Sequence, residues 1–214
     1  MKAEGCNGTD VRRKEEGCPF DARAGAAFFR TIGSLLYAEP TEGVIEDLTA
    51  WRLFDALPFE TDDRDILAGQ EAMRNWLASA PPASLASEAR GEYLRLLVGV
   101  GEVLACPWAS VYLDCDGLLF GEETLAVRAE FRRFGQKLKA KYREPDDHLG
   151  IELEFVGMLL DQGEYKEAKR FARERVLTWV GAWNADVQAR SSCDYYRALG
   201  NLAEAGIRLV SEKH

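Results

Sequence analysis

The sequence predicts an all-α protein: a single-domain bundle of roughly eight helices with one long irregular loop. Three observations carry this reading. Apolar residues recur at three- and four-residue spacing along most of the chain. No strand–helix alternation of the kind that builds a doubly wound sheet is present. No sustained heptad and no internal repeat appears, which argues against a long coiled coil or a solenoid.

Residues 1–19 are polar, contain glycine and carry charges of both signs, and read as a mobile tail. The helical domain is expected over 20–214. Asp21 caps a first helix through Tyr37, with Ala24, Ala27, Phe28, Thr31, Leu35 and Leu36 as its buried side. Pro40 ends it. A second helix is expected over 41–55, carrying Val44, Ile45, Leu48, Trp51 and Leu53. A third is expected over 63–79, with Ile66, Leu67, Met73, Trp76 and Leu77. Pro81-Pro82 is the clearest break in the chain and a candidate hinge. Helix exchange between protomers, giving a homodimer, would use this hinge.

A fourth helix is expected over 84–98. The stretch 99–121 is glycine-rich and aperiodic, and Ser110-Val111-Tyr112-Leu113 reads there as extended. A connection of about twenty residues inside a helical domain is uncommon and often functional. Further helices follow over 122–143, from Asp146 or Asp147 to Asp161, over 164–189 and over 194–212.

The chain has 214 residues, 47% hydrophobic and 29% charged, enough to form a large core without disulfides or metals. Thirty-six acidic residues face 27 basic ones, a formal net charge of -9. Such a surface repels phosphate backbones, so nucleic acid is not an expected partner. The five cysteines (Cys6, Cys18, Cys106, Cys115, Cys193) are odd in number and form no CxxC pair. This fits scattered thiols in a reducing compartment better than a disulfide framework or a zinc site. No apolar run spans a membrane, and the N-terminus lacks the apolar segment of a secretory signal. Arg12-Arg13 is followed by Lys14-Glu15-Glu16-Gly17, where a twin-arginine leader would carry apolar residues.

Catalytic candidates are few. The two histidines are His148 and the terminal His214. His148 and Glu152 stand at i, i+4 and could share a metal, but two ligands without a third make a poor site, so no metal or other cofactor is expected. The plainer role for His148 is a helix cap. Gly99-Val100-Gly101 lacks the strand–loop–helix frame of a phosphate loop and reads as a helix end with a glycine cap. Trp51, Trp76, Trp179 and Trp183 stand at helical positions and are expected in the core. Trp108, in the irregular segment, is the tryptophan open to a binding role.

Four ordered motifs carry a family resemblance. They are Glu92-Tyr93-Leu94-Arg95-Leu96-Leu97-Val98-Gly99, Pro107-Trp108-Ala109-Ser110-Val111-Tyr112-Leu113-Asp114, Leu119-Phe120-Gly121-Glu122-Glu123-Thr124-Leu125, and Pro145-Asp146-Asp147-His148-Leu149-Gly150 with Glu152-Leu153. They resemble the motifs of the TorD/DmsD chaperones of molybdenum-containing oxidoreductases, nearest the DmsD branch, over about residues 92–161. The resemblance implies an all-α fold and a cytoplasmic chaperone, not an enzyme. It would bind the leader peptide of a twin-arginine-exported enzyme and hold the client until its cofactor is inserted. By position it implies that Leu96, Pro107, Trp108, Ser110, Gly121, Asp147 and His148 bind the peptide, with Pro145 and Tyr112 shaping the same region. Val100-Gly101 stands where the DmsD branch has Pro-Trp, so one surface tryptophan is absent.

The chemistry is compatible. Asp146, Asp147 and Glu102 could pair with leader guanidinium groups, and Leu96, Pro107 and Trp108 could cover its apolar stretch. Asp146-Asp147 could equally be a helix cap. The competing readings are a small helical enzyme or nucleotide-binding protein that uses His148, and an assembly factor for the mature subunit.

Overall fold

The computed structural model describes residues 21–99, 103–114, 120–136 and 144–212. Among them there are ten α-helices and no strand beyond one isolated bridge. The helices are α1 (Ala22–Tyr37), α2 (Glu42–Ala50), α3 (Arg64–Leu77), α4 (Pro82–Tyr93), α5 (Ala109–Leu113), α6 (Glu122–Arg133), α7 (Leu149–Asp161), α8 (Tyr165–Phe171), α9 (Val180–Arg190) and α10 (Asp194–Ser211). The tail 1–19, Glu102 and the expected helical residues 137–143 lie outside the described residues.

Helix α7 is the axis of the fold. It is apolar on nearly every side and buried from Leu149 to Leu153, as a helix enclosed by others must be. Its main neighbour is α1, which runs antiparallel to it at very short range. A Cβ on Gly33 would stand 2.5 Å from the carbonyl oxygen of Gly150, and one on Gly150 would stand 2.6 Å from that of Gly33. Two turns along, a Cβ on Gly157 would meet the Ala26 carbonyl oxygen at 2.9 Å. Arg30 and Asp161 pair at 2.9 Å beside the same seam. Helix α10, about 27 Å long at 1.5 Å per residue, packs on α3, α9 and α1. There Gly69 admits Leu202, and Gly206 admits the ring of Phe28. Rings of Phe131, Phe155 and Phe171 join α6, α7 and α8. Trp76, Tyr195 and Tyr196 join α3 to α10.

Several ends differ from expectation, for identifiable reasons. Helix α2 stops at Ala50, five residues early. Arg52 takes the left-handed φ of 51°, and the Leu53 and Arg52 amides donate to Leu48 and Thr49 carbonyls. That is a Schellman end built on an arginine where glycine is usual. It turns Trp51 out to 70% exposure, correcting its expected place in the core, leaves Leu53 40% exposed, and buries Phe54 instead. Helix α6 ends at Arg133 in the same motif, with Gly135 at φ 68°, well short of residue 143. The expected single helix over 164–189 is two. After α8 a π-helical turn over Ala172–Val176 and a bend at 177–179 rotate the chain so that Val176, Trp179, Val180 and Trp183 are all buried. On α1, Ala27 is exposed, and Phe29 and Ile32 are buried in its place. Leu67 of α3 is 42% exposed. Pro81 is the N-cap of α4 and Pro82 its first residue, where a missing N–H is harmless. The aromatic cores at Trp76, Trp179 and Trp183 are as expected.

Forcing a methyl group into the α1–α7 seam overpacks backbone against backbone. Gly33→Ala and Gly150→Ala should each lower unfolding free energy by about 2 kcal/mol or more, measured by urea denaturation. Gly91→Ala, on an open face of α4 with nothing within 4 Å of its Cβ, should be neutral or stabilising by about 0.5–1 kcal/mol.

Candidate functional site

The N-terminus of α7 receives the irregular segment. The Ala109 amide donates to the Asp147 carbonyl at 3.0 Å, and the Leu149 amide to the Pro107 carbonyl at 2.8 Å. These bonds form an antiparallel bridge between Trp108 and His148. Upstream, the Ala105 amide donates to the Leu96 carbonyl at 2.9 Å. The π turn after α4 ends on Gly99 at φ 76°, whose amide donates to Leu94, so the glycine here is a cap as expected.

Asp147 is the hub. It is wholly buried. One carboxylate oxygen accepts the Ser110 amide at 2.8 Å, and the other the Thr124 hydroxyl at 2.7 Å. The first bond caps α5 from 37 residues away. This cap makes 109–113 helical, although the sequence alone reads extended there. The second ties α6 to the same point. Asp147 does not cap its own helix. His148 does, its Nδ1 accepting the Gly150 amide at 3.0 Å. The imidazole lies between Tyr37 and Trp108, with ring centroids at 5.2 and 5.9 Å. Burial pulls its pKa down to about 3, so the ring is neutral and already bound, which disfavours it as a general base. Asp146 is buried and paired with Arg128 at 2.6 Å.

Of the ten residues marked by resemblance and chemistry, Leu96, Pro107, Ser110, Pro145, Asp146, Asp147 and His148 are buried, and Trp108, Tyr112 and Gly121 are partly exposed. They gather at one place, but the buried ones hold the frame and the exposed ones face outward. Sequence reasoning did not single out three neighbours that complete this surface. Phe120 (60% exposed), Leu125 (58%) and Leu113 (40%) are exposed apolar residues on the neighbouring α5 and α6 segments, and are called the apolar rim below. Phe120 adopts φ 64°, a left-handed backbone that a bulky residue rarely takes and that occurs at functional surfaces.

Behind the rim lies polar chemistry. Trp108 Nε1, Ser110 Oγ and Asp114 Oδ2 are buried with no hydrogen-bond partner among the described residues. Tyr112 stacks on Trp179 at 5.6 Å and donates to Asp186 at 3.2 Å. Trp179 Nε1 donates to Glu152 Oε2 at 3.2 Å, while Glu152 Oε1 has no partner among the described residues. Burial first, then the Asp147 and Glu123 charges, push the Glu152 pKa well up. Glu123, paired with Arg175 at 3.1 Å, is also raised, chiefly by burial. Among the described residues no three His, Cys, Asp or Glu side chains converge as metal ligands. No described helix is long and apolar enough to cross a membrane.

A family model described as nitrate reductase delta subunit matches residues 61–185. A probable Tat proofreading chaperone DmsD of Haemophilus influenzae is 26% identical over 173 residues, 81% of this chain and 83% of its own. A chaperone protein TorD of Photobacterium profundum is 26% identical over 196 residues, 86% and 91% of the two chains. A Tat proofreading chaperone DmsD of Salmonella paratyphi A is 31% identical over 109 residues, about half of each chain. The crystal structure of a putative redox enzyme maturation protein from Archaeoglobus fulgidus superposes with a TM-score of 0.53 at 19% identity, covering 85% of this chain and 91% of that one, and shares the fold.

Two predictions follow from the hub and the buried acid. Asp147→Ala leaves two donors unpaired and should cost about 3 kcal/mol, and Thr124→Val about 1–2 kcal/mol, read by denaturant titration. The Glu152 carboxyl keeps its proton in the fold above the ordinary 4.5, whereas the unfolded chain releases it. Glu152 therefore costs stability increasingly as pH rises from there. Glu152→Gln should match the parent near pH 4.5 and exceed it in melting temperature by about pH 8. His148 acts in the opposite sense. Its contribution is full above the ordinary 6.5 and is lost as pH falls toward 3.

Proposed function

The chain belongs to the TorD/DmsD family of redox-enzyme maturation chaperones, and from that membership we propose that it binds the twin-arginine leader peptide of a molybdenum-containing oxidoreductase. In this reading it is a chaperone and not an enzyme, and it holds the client in the cytoplasm for cofactor insertion before export. The observation that carries the placement of the leader is the α5–α6 surface. Trp108, Tyr112 and Phe120 are presented there on a frame that Asp147 and His148 fix from beneath.

The leader's arginines suit this mouth. Asp114 and the exposed Glu122 supply carboxylates, and Phe120 supplies an open ring face for a guanidinium. The partly exposed indole of Trp108 supplies apolar contact to the peptide, while the wholly buried Ser110 belongs to the frame. Asp146 and Asp147 act as supports here, because their carboxylates already serve Arg128, Ser110 and Thr124. Leu96, Pro107 and Pro145 shape the segment, and Gly121 caps α6 beside Phe120.

Trp108→Ala and Phe120→Ser should each weaken leader binding about tenfold, as the loss of one apolar anchor does, with little change in melting temperature for Phe120→Ser. Asp146→Asn should act mainly on stability. Isothermal titration with a synthetic twin-arginine leader measures all three. A silent titration with the parent protein would remove the leader-chaperone reading. Equal affinity for a client lacking its leader would favour the mature-subunit factor.

A further inference from the structure

A second apolar surface lies on the other neighbours of α7. A groove of about 660 Å³ runs between α1, α2, the end of α6 and α7. This is within the range of about 300–1,000 Å³ typical of binding pockets. Leu35, Val44, Leu48, Ile151 and Phe155 give it an apolar wall, and Trp51 stands at its lip. Tryptophan is seldom left 70% exposed, and this one is held there by the left-handed turn at Arg52. A strained backbone that presents a large apolar ring beside an open apolar groove is the signature of a docking surface.

We propose that this groove receives the apolar stretch of the leader whose arginine end docks at the α5–α6 mouth. The inference rests on the leader-binding reading above. Two features select this occupant. Helix α7 is common to both places: His148 anchors the mouth, and Ile151, one turn further, begins the groove wall. The polar rim carries the Asp47 carboxylate, and its Arg30 is paired with Asp161. An apolar segment flanked by cationic residues suits that rim, and an acidic amphipathic segment does not. At about 660 Å³ the groove has room for several leucine-sized side chains.

The test uses the full chain and two synthetic peptides, each with an arginine pair. One continues in an apolar Leu/Ala stretch and the other in a Ser/Gly stretch. The variants are Trp51→Ala, which removes an exposed ring, and Ser34→Arg, which places bulk and positive charge on an exposed wall position of α1. Both sites tolerate change without touching the core, and melting temperatures verify it. The parent should bind the apolar peptide about tenfold tighter than the polar one, with a blue shift in tryptophan emission. Trp51→Ala should lose that shift, and both variants should bind the two peptides alike. If the variants keep the parent's preference for the apolar peptide, the groove is not its seat and only this inference fails. If the parent binds neither peptide, the leader reading fails with it. A parent dimer that Ser34→Arg dissociates in sedimentation would assign the groove to a second copy and overturn the proposal.

Discussion

The contact of α1 with α7 sets the geometry on which everything else in this protein depends. Gly33 and Gly150 face each other with no side chain between them, so each carbonyl lies against the partner's Cα. At that distance the two helices cannot slide or rotate without a clash, because protein interiors have little free volume to absorb a shift. The N-terminus of α7 is thereby fixed against the C-terminal turn of α1, where Tyr37 meets the His148 ring. The helix that carries the candidate site is thus positioned by a contact between two glycines.

From that fixed point a small polar construction extends outward. Asp147 joins α5, α6 and α7 through two buried hydrogen bonds, and His148 turns its own ring inward to cap α7. Charged hydrogen bonds in a buried setting are stronger than neutral ones, and their loss leaves donors unsatisfied. The buried acids hold the platform, Trp108, Tyr112 and Phe120 are its exposed or partly exposed groups, and the leader-binding proposal assigns the peptide to them.

The acidity of the chain is spread unevenly in its effect. Much of it is bound in ion pairs, such as Glu130 and Glu167 with Arg170, and there it contributes to helix packing more than to any external field. Glu152 is sealed in the core, where burial favours the neutral acid. Asp114 and Glu122 at the α5–α6 mouth and Asp47 at the groove rim are among the carboxylates that face outward. Screening by salt would act on these exposed groups more than on apolar contacts.

By itself, the sequence determined the fold class and most helix starts. Asp21, Thr41 and Asp63 announce α1, α2 and α3 because a capping side chain acts on amides two or three residues away. The residues of its motifs lie together at the N-terminus of α7 and the α5–α6 segments that it holds. Tertiary structure decided what local rules cannot express. Residues 109–113 are helical because an aspartate 37 positions from Ser110 caps them. Trp51 faces solvent because Arg52, not a glycine, takes the left-handed position at the end of α2. Gly135 did carry a local stop signal, and the amphipathic pattern beyond it obscured that signal. Which site residues are frame and which are surface follows from how closely α1 and α7 approach, and a spacing between helices distant in sequence is not written in either helix alone.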